Sequence, residues 1–153
     1  MSLTNLYQRR RPAEILLVED SLADIRLFTE AMKQCSIPHH LTAIDNGQEA
    51  LAFLRREGSG AGSPRPDLVV LDLNLPGLNG RELLAAIRAD SAFQHLPVVI
   101  LTSSTSPQDV RELYRTSANC FVIKPLDIDQ FFFVVRTTIE FWLGVATIPD
   151  GVL

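Results

Sequence analysis

Short runs of apolar and β-branched residues alternate along the chain with segments in which apolar residues recur at helical spacing. Most of these runs lack the polar alternation of a half-exposed strand, which is typical of strands buried on both faces of a parallel sheet. We predict these strands: Glu14–Val18, His40–Ile44, Val69–Leu71, Pro97–Leu101 and Cys120–Ile123.

The segments that follow the strands predict amphipathic helices. Helix-start signals precede several of them, namely Ser21 ahead of Asp24, Ser106 ahead of Pro107, and Asp127. For Asp24, a place in the first helical turn is favoured over a catalytic role, because a carboxylate there complements the helix dipole. The expected helices run from Leu22 to before Pro38, from Gln48 to Arg56, from Arg81 to Ala89, from Pro107 to about Ser117, and from Asp127 to about Leu143.

The repeated alternation of strand and helix determines the fold class. Right-handed crossovers turn this order into an α/β fold with a doubly wound, five-stranded parallel sheet. The repeats occupy residues 13–143, which we expect to form one domain. Residues 1–12 are then a flexible N-terminal arm, and residues 144–153 a loose C-terminal tail.

Composition narrows the classes of function. The chain has 153 residues, of which 46% are hydrophobic and 21% charged, an ordinary balance for one globular domain. Its net charge of −4 argues against a general nucleic-acid binder. No apolar stretch approaches the roughly 18 residues of a membrane span, so a cytoplasmic location is expected. Cys35 and Cys120 lie far apart in apolar surroundings, which favours reduced thiols over a disulfide or a metal site.

Polar residues stand where most of the predicted strands end. Glu19 and Asp20 follow the first strand, Asp72 the third, Thr102 the fourth and Lys124 the fifth. The carboxyl ends of parallel strands meet at one edge of the sheet, where such folds bind ligands. Carboxylates within about 4 Å of each other repel by roughly 4 kcal/mol per pair at a surface-like dielectric, so the cluster needs a cation. Oxygen ligands in an open site suit Mg²⁺ best, and Thr102 is a candidate hydrogen-bond donor to an anion.

These strand-end residues, with Pro125 after the lysine, resemble the bacterial response-regulator receiver domains. The resemblance covers residues 13–143 and implies a (βα)5 flavodoxin-like receiver fold that acts as a single-domain response regulator in a two-component phosphorelay. Further segments are similar to the stand-alone regulators that serve phytochrome-type histidine kinases: Leu17–Asp24, Asp72–Pro76 and Phe141–Leu143. A sensor histidine kinase, of the phytochrome type on the narrower resemblance, is therefore the expected partner.

The resemblance implies a role for each residue of the acidic cluster. Asp72 is the expected phosphoacceptor, which attacks the phosphohistidine of the kinase and becomes an acyl phosphate. Glu19 and Asp20 are expected to hold Mg²⁺ together with Asp72 and the backbone carbonyl group of Asn74. Asp20 is the more direct ligand of the two residues that follow the first strand.

The resemblance also implies which residues respond to the phosphoryl group and which ones set the lifetime of the phosphorylated state. Lys124 pairs with one phosphoryl oxygen and Thr102 donates to another, which makes Thr102 and Phe121 the expected switch residues. Phe121 lacks the hydroxyl group of the tyrosine found in other receivers, so its inward and outward rotamers differ by packing alone. Asn74 and Ser104 lie where this family tunes the lifetime of the phosphoaspartate.

The apolar pattern of the final helix predicts an interaction surface through which the protein passes on its signal. The run from Phe131 to Val135 places apolar side chains all around this helix, and a helix apolar on every side is normally buried on every side. We expect a homodimer or partner interface on the last two helices and the last strand. The alternative is that scattered surface phenylalanines have no role. The interface candidates are Phe121, Phe131, Phe132, Phe133, Phe141 and Trp142.

Two other interpretations stay open. The fold could be a scaffold that binds partners without phosphorylation, although the intact set of strand-end residues argues against this. The chain could also be an aspartate-nucleophile phosphatase, but such enzymes need a second acid two positions after the nucleophile, where this chain has Asn74. We therefore expect a protein that is not an enzyme, apart from self-phosphorylation from a phosphodonor and slow autodephosphorylation.

Overall fold

The computed structural model describes residues 11–58 and 62–149, which form alternating strands and helices. The strands are β1 (Ala13–Val18), β2 (His39–Ile44), β3 (Leu68–Leu71), β4 (Val98–Thr102) and β5 (Cys120–Ile123). The helices are α1 (Leu22–Lys33), α2 (Gly47–Arg55), α3 (Gly80–Ala89), α4 (Pro107–Arg115) and α5 (Ile128–Glu140). All five strands are parallel in one sheet, in the order β2-β1-β3-β4-β5, so the predicted fold class is confirmed.

The sheet separates two hydrophobic core clusters. Successive residues of a strand point to opposite faces, so Leu16 and Val69 pack against α2, α3 and α4, whereas Ile15 and Val70 pack against α1 and α5. β3 and β4 are buried along their whole length, as their apolar runs predicted, while the edge strands β2 and β5 are partly exposed. The carboxyl ends of β1 and β3 therefore lie at the middle of one sheet edge.

Each helix begins at a side-chain cap that accepts a hydrogen bond from a backbone N–H in the first turn. The caps predicted at Ser21, Ser106 and Asp127 are confirmed. Asn46 and Asn79 cap α2 and α3, with acceptor distances of 2.9 Å and 3.0 Å. Because asparagine satisfies the first orphan N–H groups, both helices start one residue earlier than the apolar pattern predicted.

The prediction for the last helix needs correction. Phe131 is only 3% exposed and belongs to the core against α1, so its side chain is not available to a partner. Phe132 and Trp142 also pack against this core, whereas Phe133 is 60% exposed. The apolar run thus divides between a buried face and a partly open one, since the sheet covers only one side of α5. Leu22, in the first turn of α1, is exposed as well.

The two ends of the chain lie partly outside the described residues. The expected arm is described only at Arg11 and Pro12, and the expected tail only as far as residue 149. α5 continues into a π-helical turn at Phe141–Val145, and Ile148 packs against the core formed with α1. Within residues 11–58 and 62–149, no helix is long and apolar enough to cross a membrane. The division into arm, domain and tail stays a prediction.

An ion pair attaches the start of β1 to the start of β3. Both guanidinium NH groups of Arg11 donate to the Asp67 carboxylate, at 2.8 Å and 2.9 Å. The backbone N–H of Glu14 donates to the same carboxylate at 2.8 Å. The Asp67 side chain is 3% exposed, so these donors replace the water that its charge would otherwise bind.

Asp67→Asn is expected to lower the free energy of unfolding by about 1–2 kcal/mol. The amide keeps one acceptor oxygen but turns an N–H donor toward Arg11, so at least one charge-assisted hydrogen bond is lost. Urea denaturation at neutral pH measures the change. Asp45→Asn removes the same charge from an exposed turn and is expected to leave stability unchanged. Equal stabilities for the two variants would contradict a structural role for this ion pair.

Candidate functional site

The acidic, hydroxyl and lysine side chains of the predicted site lie at the carboxyl ends of the strands or just beyond them. Parallel hydrogen bonding continues past the strands and fixes their backbones. The N–H of Asp72 donates to the carbonyl oxygen of Val18 at 3.0 Å, and that of Lys124 donates to Thr102 at 2.8 Å. The side chains that follow β1, β3 and β5 are therefore presented at one edge of the sheet by backbones that are hydrogen-bonded to adjacent strands.

Three carboxylates converge in a pocket at this edge. Glu19, Asp20 and Asp72 each offer an oxygen, and these oxygens all lie within 4.8 Å of one another. Glu19 and Asp72 are buried, while Asp20 is exposed at the mouth. Such a set of hard oxygen donors with an open side fits a divalent cation of the magnesium class, which keeps water or phosphate ligands on its open side. The structure thus brings together the three predicted metal-binding side chains.

Lys124 reaches into the same pocket. Its Nζ lies 2.7 Å from Glu19 Oε2, 2.8 Å from Asp24 Oδ2 and 3.1 Å from Asp72 Oδ2. Burial by itself would lower the pKa of Lys124, but hydrogen bonds to Asp24 and Glu19 and the nearby carboxylate charges raise it above its ordinary value. The ammonium group therefore stays charged and offsets part of the acidic charge.

The two buried carboxyl groups differ in their protonation. Burial raises the pKa of Glu19 to about 7, a shift that the charge of Asp72 reinforces and that the hydrogen bonds from Lys124 and Ser21 only partly oppose. Burial also acts to raise the pKa of Asp72, but the charge of Lys124 and hydrogen bonds from Glu19, Lys124 and Thr102 lower it below its ordinary value. Asp72 is therefore an ionised carboxylate at neutral pH, which is the form that acts as a nucleophile.

The remaining predicted site residues lie around this centre. The Thr102 side chain is fully buried, and the Asn74 backbone N–H donates to Asp72 Oδ1 at 3.4 Å. The Ser104 hydroxyl donates to Asp109 at 2.5 Å, which ties it to the start of α4 instead of the acidic cluster. Phe121 packs against the core on the α2–α4 face. The roles predicted for these residues stay predictions.

Comparison with known sequences decides the family. The family model of the response regulator receiver domain matches residues 15–136, which is most of the chain. This protein belongs to the response-regulator receiver family. The receiver is 43% identical over 138 residues to Response regulator Rcp1 of Synechocystis sp., and the match covers 90% of this chain and 94% of Rcp1. The family is one of response regulators in two-component signalling and not one of catalytic enzymes.

Solved structures give the same result. The receiver matches the phosphorylated cyanobacterial phytochrome response regulator RcpA with a TM-score of 0.88 and 43% identity, covering 92% of this chain and all of RcpA. It matches the Mn²⁺-bound form of Rcp1 with a TM-score of 0.87 and 42% identity, covering 91% of this chain and 100% of that one. The predicted family and the likeness to phytochrome response regulators are both confirmed.

The sequence interpretation of Asp24 in this receiver was incomplete. Its backbone N–H donates to Ser21 Oγ at 3.3 Å, as a residue in the first turn of α1 should. Its carboxylate, however, turns back toward the sheet edge and pairs with Lys124. A signal was present, because Asp24 lies only four residues after Asp20, in the first turn of the helix that follows the acidic pair. The direction of that turn relative to Lys124 required the structure.

Proposed function

We propose that Asp72 of this receiver accepts a phosphoryl group from the phosphohistidine of a sensor histidine kinase. The observation that carries the proposal is the state of Asp72 in its pocket. Although burial opposes it, the charge of Lys124 and the hydrogen bonds around the carboxylate hold the pKa of Asp72 below its ordinary value. An anionic nucleophile thus lies beside a fixed cation and a set of oxygen ligands for a metal, which are the parts that phosphoryl transfer needs.

The transfer exchanges one bond to phosphorus for another. One oxygen of the Asp72 carboxylate forms a bond to phosphorus while the bond from phosphorus to the imidazole nitrogen breaks. The electron pair of the broken bond stays with the imidazole nitrogen, and the ring takes up a proton from solvent and leaves as neutral imidazole. Hydrolysis later returns Asp72 to a carboxylate and releases inorganic phosphate, so turnover of a separate substrate is not part of the proposal.

The acidic cluster would hold Mg²⁺ through Glu19, Asp20 and Asp72, with the backbone carbonyl group of Asn74 as a further ligand. When bound, Mg²⁺ neutralises charge on the phosphoryl oxygens during transfer. The all-oxygen donor set and the spacing of the three carboxylates support this assignment. The Mn²⁺-bound form of the relative Rcp1 supports a divalent cation at such a site.

Lys124 and Thr102 would bind the phosphoryl oxygens that the metal leaves open. Lys124 pairs with one oxygen, and the buried Thr102 hydroxyl turns to donate to another. The movement of Thr102 would make room for Phe121, which is partly buried against the core on the α2–α4 face, to rotate inward. To change the ratio of active to inactive conformations from 1:99 to 99:1, phosphorylation has to favour the active conformation by about 5.5 kcal/mol. Asn74 and Ser104 would tune how long that state lasts.

The receiver would pass on its signal by associating with another protein molecule. The donor of the phosphoryl group would be a histidine kinase of the phytochrome type in the cytoplasm. The likeness to RcpA and Rcp1 supports the donor class. The exposed rings of Phe133 and Phe141, with the partly buried Phe121, Phe132 and Trp142, support a homodimer interface along β5, α4 and α5. Phe131 is left out of this surface because it is buried.

Incubation with acetyl phosphate and Mg²⁺ tests the proposed function. We expect the intact mass to rise by about 80 Da, and we expect no rise when EDTA replaces Mg²⁺. Hydroxylamine is expected to remove the adduct, because it cleaves acyl phosphates. Size-exclusion elution of the same samples reports whether phosphorylation changes the oligomeric state. A protein that binds Mg²⁺ but gains no mass would point instead to a scaffold that works without phosphorylation.

A further inference from the structure

All hydrogen-bond donors of the Lys124 ammonium group are occupied in this receiver. A lysine ammonium carries three N–H donors, and Lys124 Nζ contacts carboxylate oxygens of Glu19, Asp24 and Asp72 at 2.7 Å, 2.8 Å and 3.1 Å. The group is nearly buried, so water offers it no fourth partner. A phosphoryl oxygen that is to bind Lys124 must therefore displace one of these carboxylates.

The three carboxylates are not equally easy to displace. Glu19 is buried, and its other oxygen accepts a hydrogen bond from the Ser21 backbone N–H at 3.0 Å, which fixes its side chain. Asp72 carries the phosphoryl group itself and loses its carboxylate charge when it is acylated, so the carboxylates that compete with the phosphoryl group are Glu19 and Asp24. Asp24 stands in the first turn of α1 with its side chain 31% exposed, so its carboxylate can rotate into water and be solvated there. The cost of release is lowest for Asp24.

We propose that Asp24 is an internal competitor that occupies the position of a phosphoryl oxygen on Lys124 until a phosphoryl group displaces it. The proposal rests on the function proposed above and makes Asp24 a positioning residue. In the resting protein, Asp24 keeps the ammonium group ordered beside Asp72. On phosphorylation it is exchanged for the incoming anion. The cost of this exchange sets how tightly the pocket holds a phosphoryl group.

If Asp24 has this role, removing its charge should have opposite effects on the binding of anions and on the binding of cations in the pocket. Without the Asp24 charge, Lys124 is held at this position by at most a neutral amide oxygen, which is a weaker acceptor, and the pocket is less negative, so an anion that mimics the phosphoryl group binds more tightly. Mg²⁺ binds less tightly, since the pocket has lost a carboxylate charge near the metal ligands. A general loosening of the fold would weaken both, so the two signs separate a positioning role from a merely structural one.

The test uses Asp24→Asn, Asp24→Glu and the control Asp129→Asn in the full chain. Asp129 also lies in the first turn of a helix behind a side-chain cap, so its replacement removes the same charge from the first turn of another helix. Calorimetric titration with beryllofluoride in saturating Mg²⁺ measures anion binding, and titration with Mg²⁺ alone measures the cation. For Asp24→Asn we expect a beryllofluoride Kd lower by about three- to ten-fold and a raised Mg²⁺ Kd. Asp24→Glu should stay closer to wild type, and Asp129→Asn should match it.

The rate of phosphorylation gives a second readout. For Asp24→Asn, the acetyl phosphate concentration that gives half the maximal rate is expected to fall, while the maximal rate changes less. An unchanged beryllofluoride Kd in Asp24→Asn, an equal change in Asp129→Asn, or no binding to any variant overturns the proposal. A wild-type protein that gains no phosphoryl group refutes the proposed function instead. Tighter beryllofluoride binding by Asp24→Asn would still support the competition at Lys124 in that case.

Discussion

Asp72→Asn is expected to abolish phosphorylation, with the rate of mass gain from acetyl phosphate falling at least about 100-fold. The amide keeps the volume of the side chain but has no anionic oxygen to attack phosphorus. Glu19 and Asp24 are poor substitutes for it, since Glu19 has its pKa raised to about 7 chiefly by burial and Asp24 is paired with Lys124. Intact mass spectrometry over the time course used for the wild type measures the loss.

We expect the Asp72→Asn variant to stay folded, so that a loss of phosphorylation cannot be attributed to unfolding. Lys124 retains Glu19 and Asp24 as partners, and neutralising Asp72 removes the repulsion between two buried carboxylates. We expect the free energy of unfolding to change by less than about 1 kcal/mol. Asp45→Asn, which removes an exposed carboxylate, is expected to be phosphorylated like the wild type. An adduct of undiminished rate on Asp72→Asn would place the phosphoacceptor elsewhere in the chain.

The position of the site was predictable because it depends on topology more than on packing. Alternating strands and helices require a parallel sheet, and a parallel sheet requires that residues just after its strands share one edge. Glu19, Asp20, Asp72 and Lys124 each follow an uninterrupted apolar run, so their meeting could be expected without knowing any distance. Parallel hydrogen bonding past the strand ends, as from Asp72 N–H to Val18, then fixes them.

The features that the sequence did not predict depend on the direction in which side chains point around a helix axis, or on contacts between distant parts of the chain. Apolar residues surround α5 on every side, so the pattern could not tell that Phe131 faces the core and Phe133 does not. The same limit applies to Asp24, whose carboxylate could be assigned to a helix turn but not to a lysine one hundred residues away in the chain. The pairing of Arg11 with Asp67 is equally non-local, since neither residue belongs to an amphipathic pattern.

Gly80→Ala is expected to lower the free energy of unfolding by about 3 kcal/mol or more and Tm by about 6–12 °C. Gly80 opens α3, and a Cβ there would lie 2.2 Å from the Asp72 carbonyl oxygen and 2.7 Å from Leu73 Cα. These are backbone atoms, held in place by the Gly80 N–H that donates to Leu73 at 3.0 Å. The obstacle is therefore steric, because Gly80 does not have a left-handed backbone. Thermal and urea denaturation measure the loss.

Gly47→Ala separates the effect on the fold from the effect on the site. A Cβ at Gly47 would lie 2.0 Å from the Leu78 carbonyl oxygen, so this variant should be destabilised comparably, but away from the Asp72 backbone. Alanine favours a helix over glycine by about 1 kcal/mol, so the measured losses are lower bounds on the clashes. Because α3 must move away from Asp72 to admit the methyl group, only Gly80→Ala should also slow phosphorylation at a temperature where both variants are folded. Wild-type stability in Gly80→Ala would mean that α3 does not pack against the phosphoacceptor backbone.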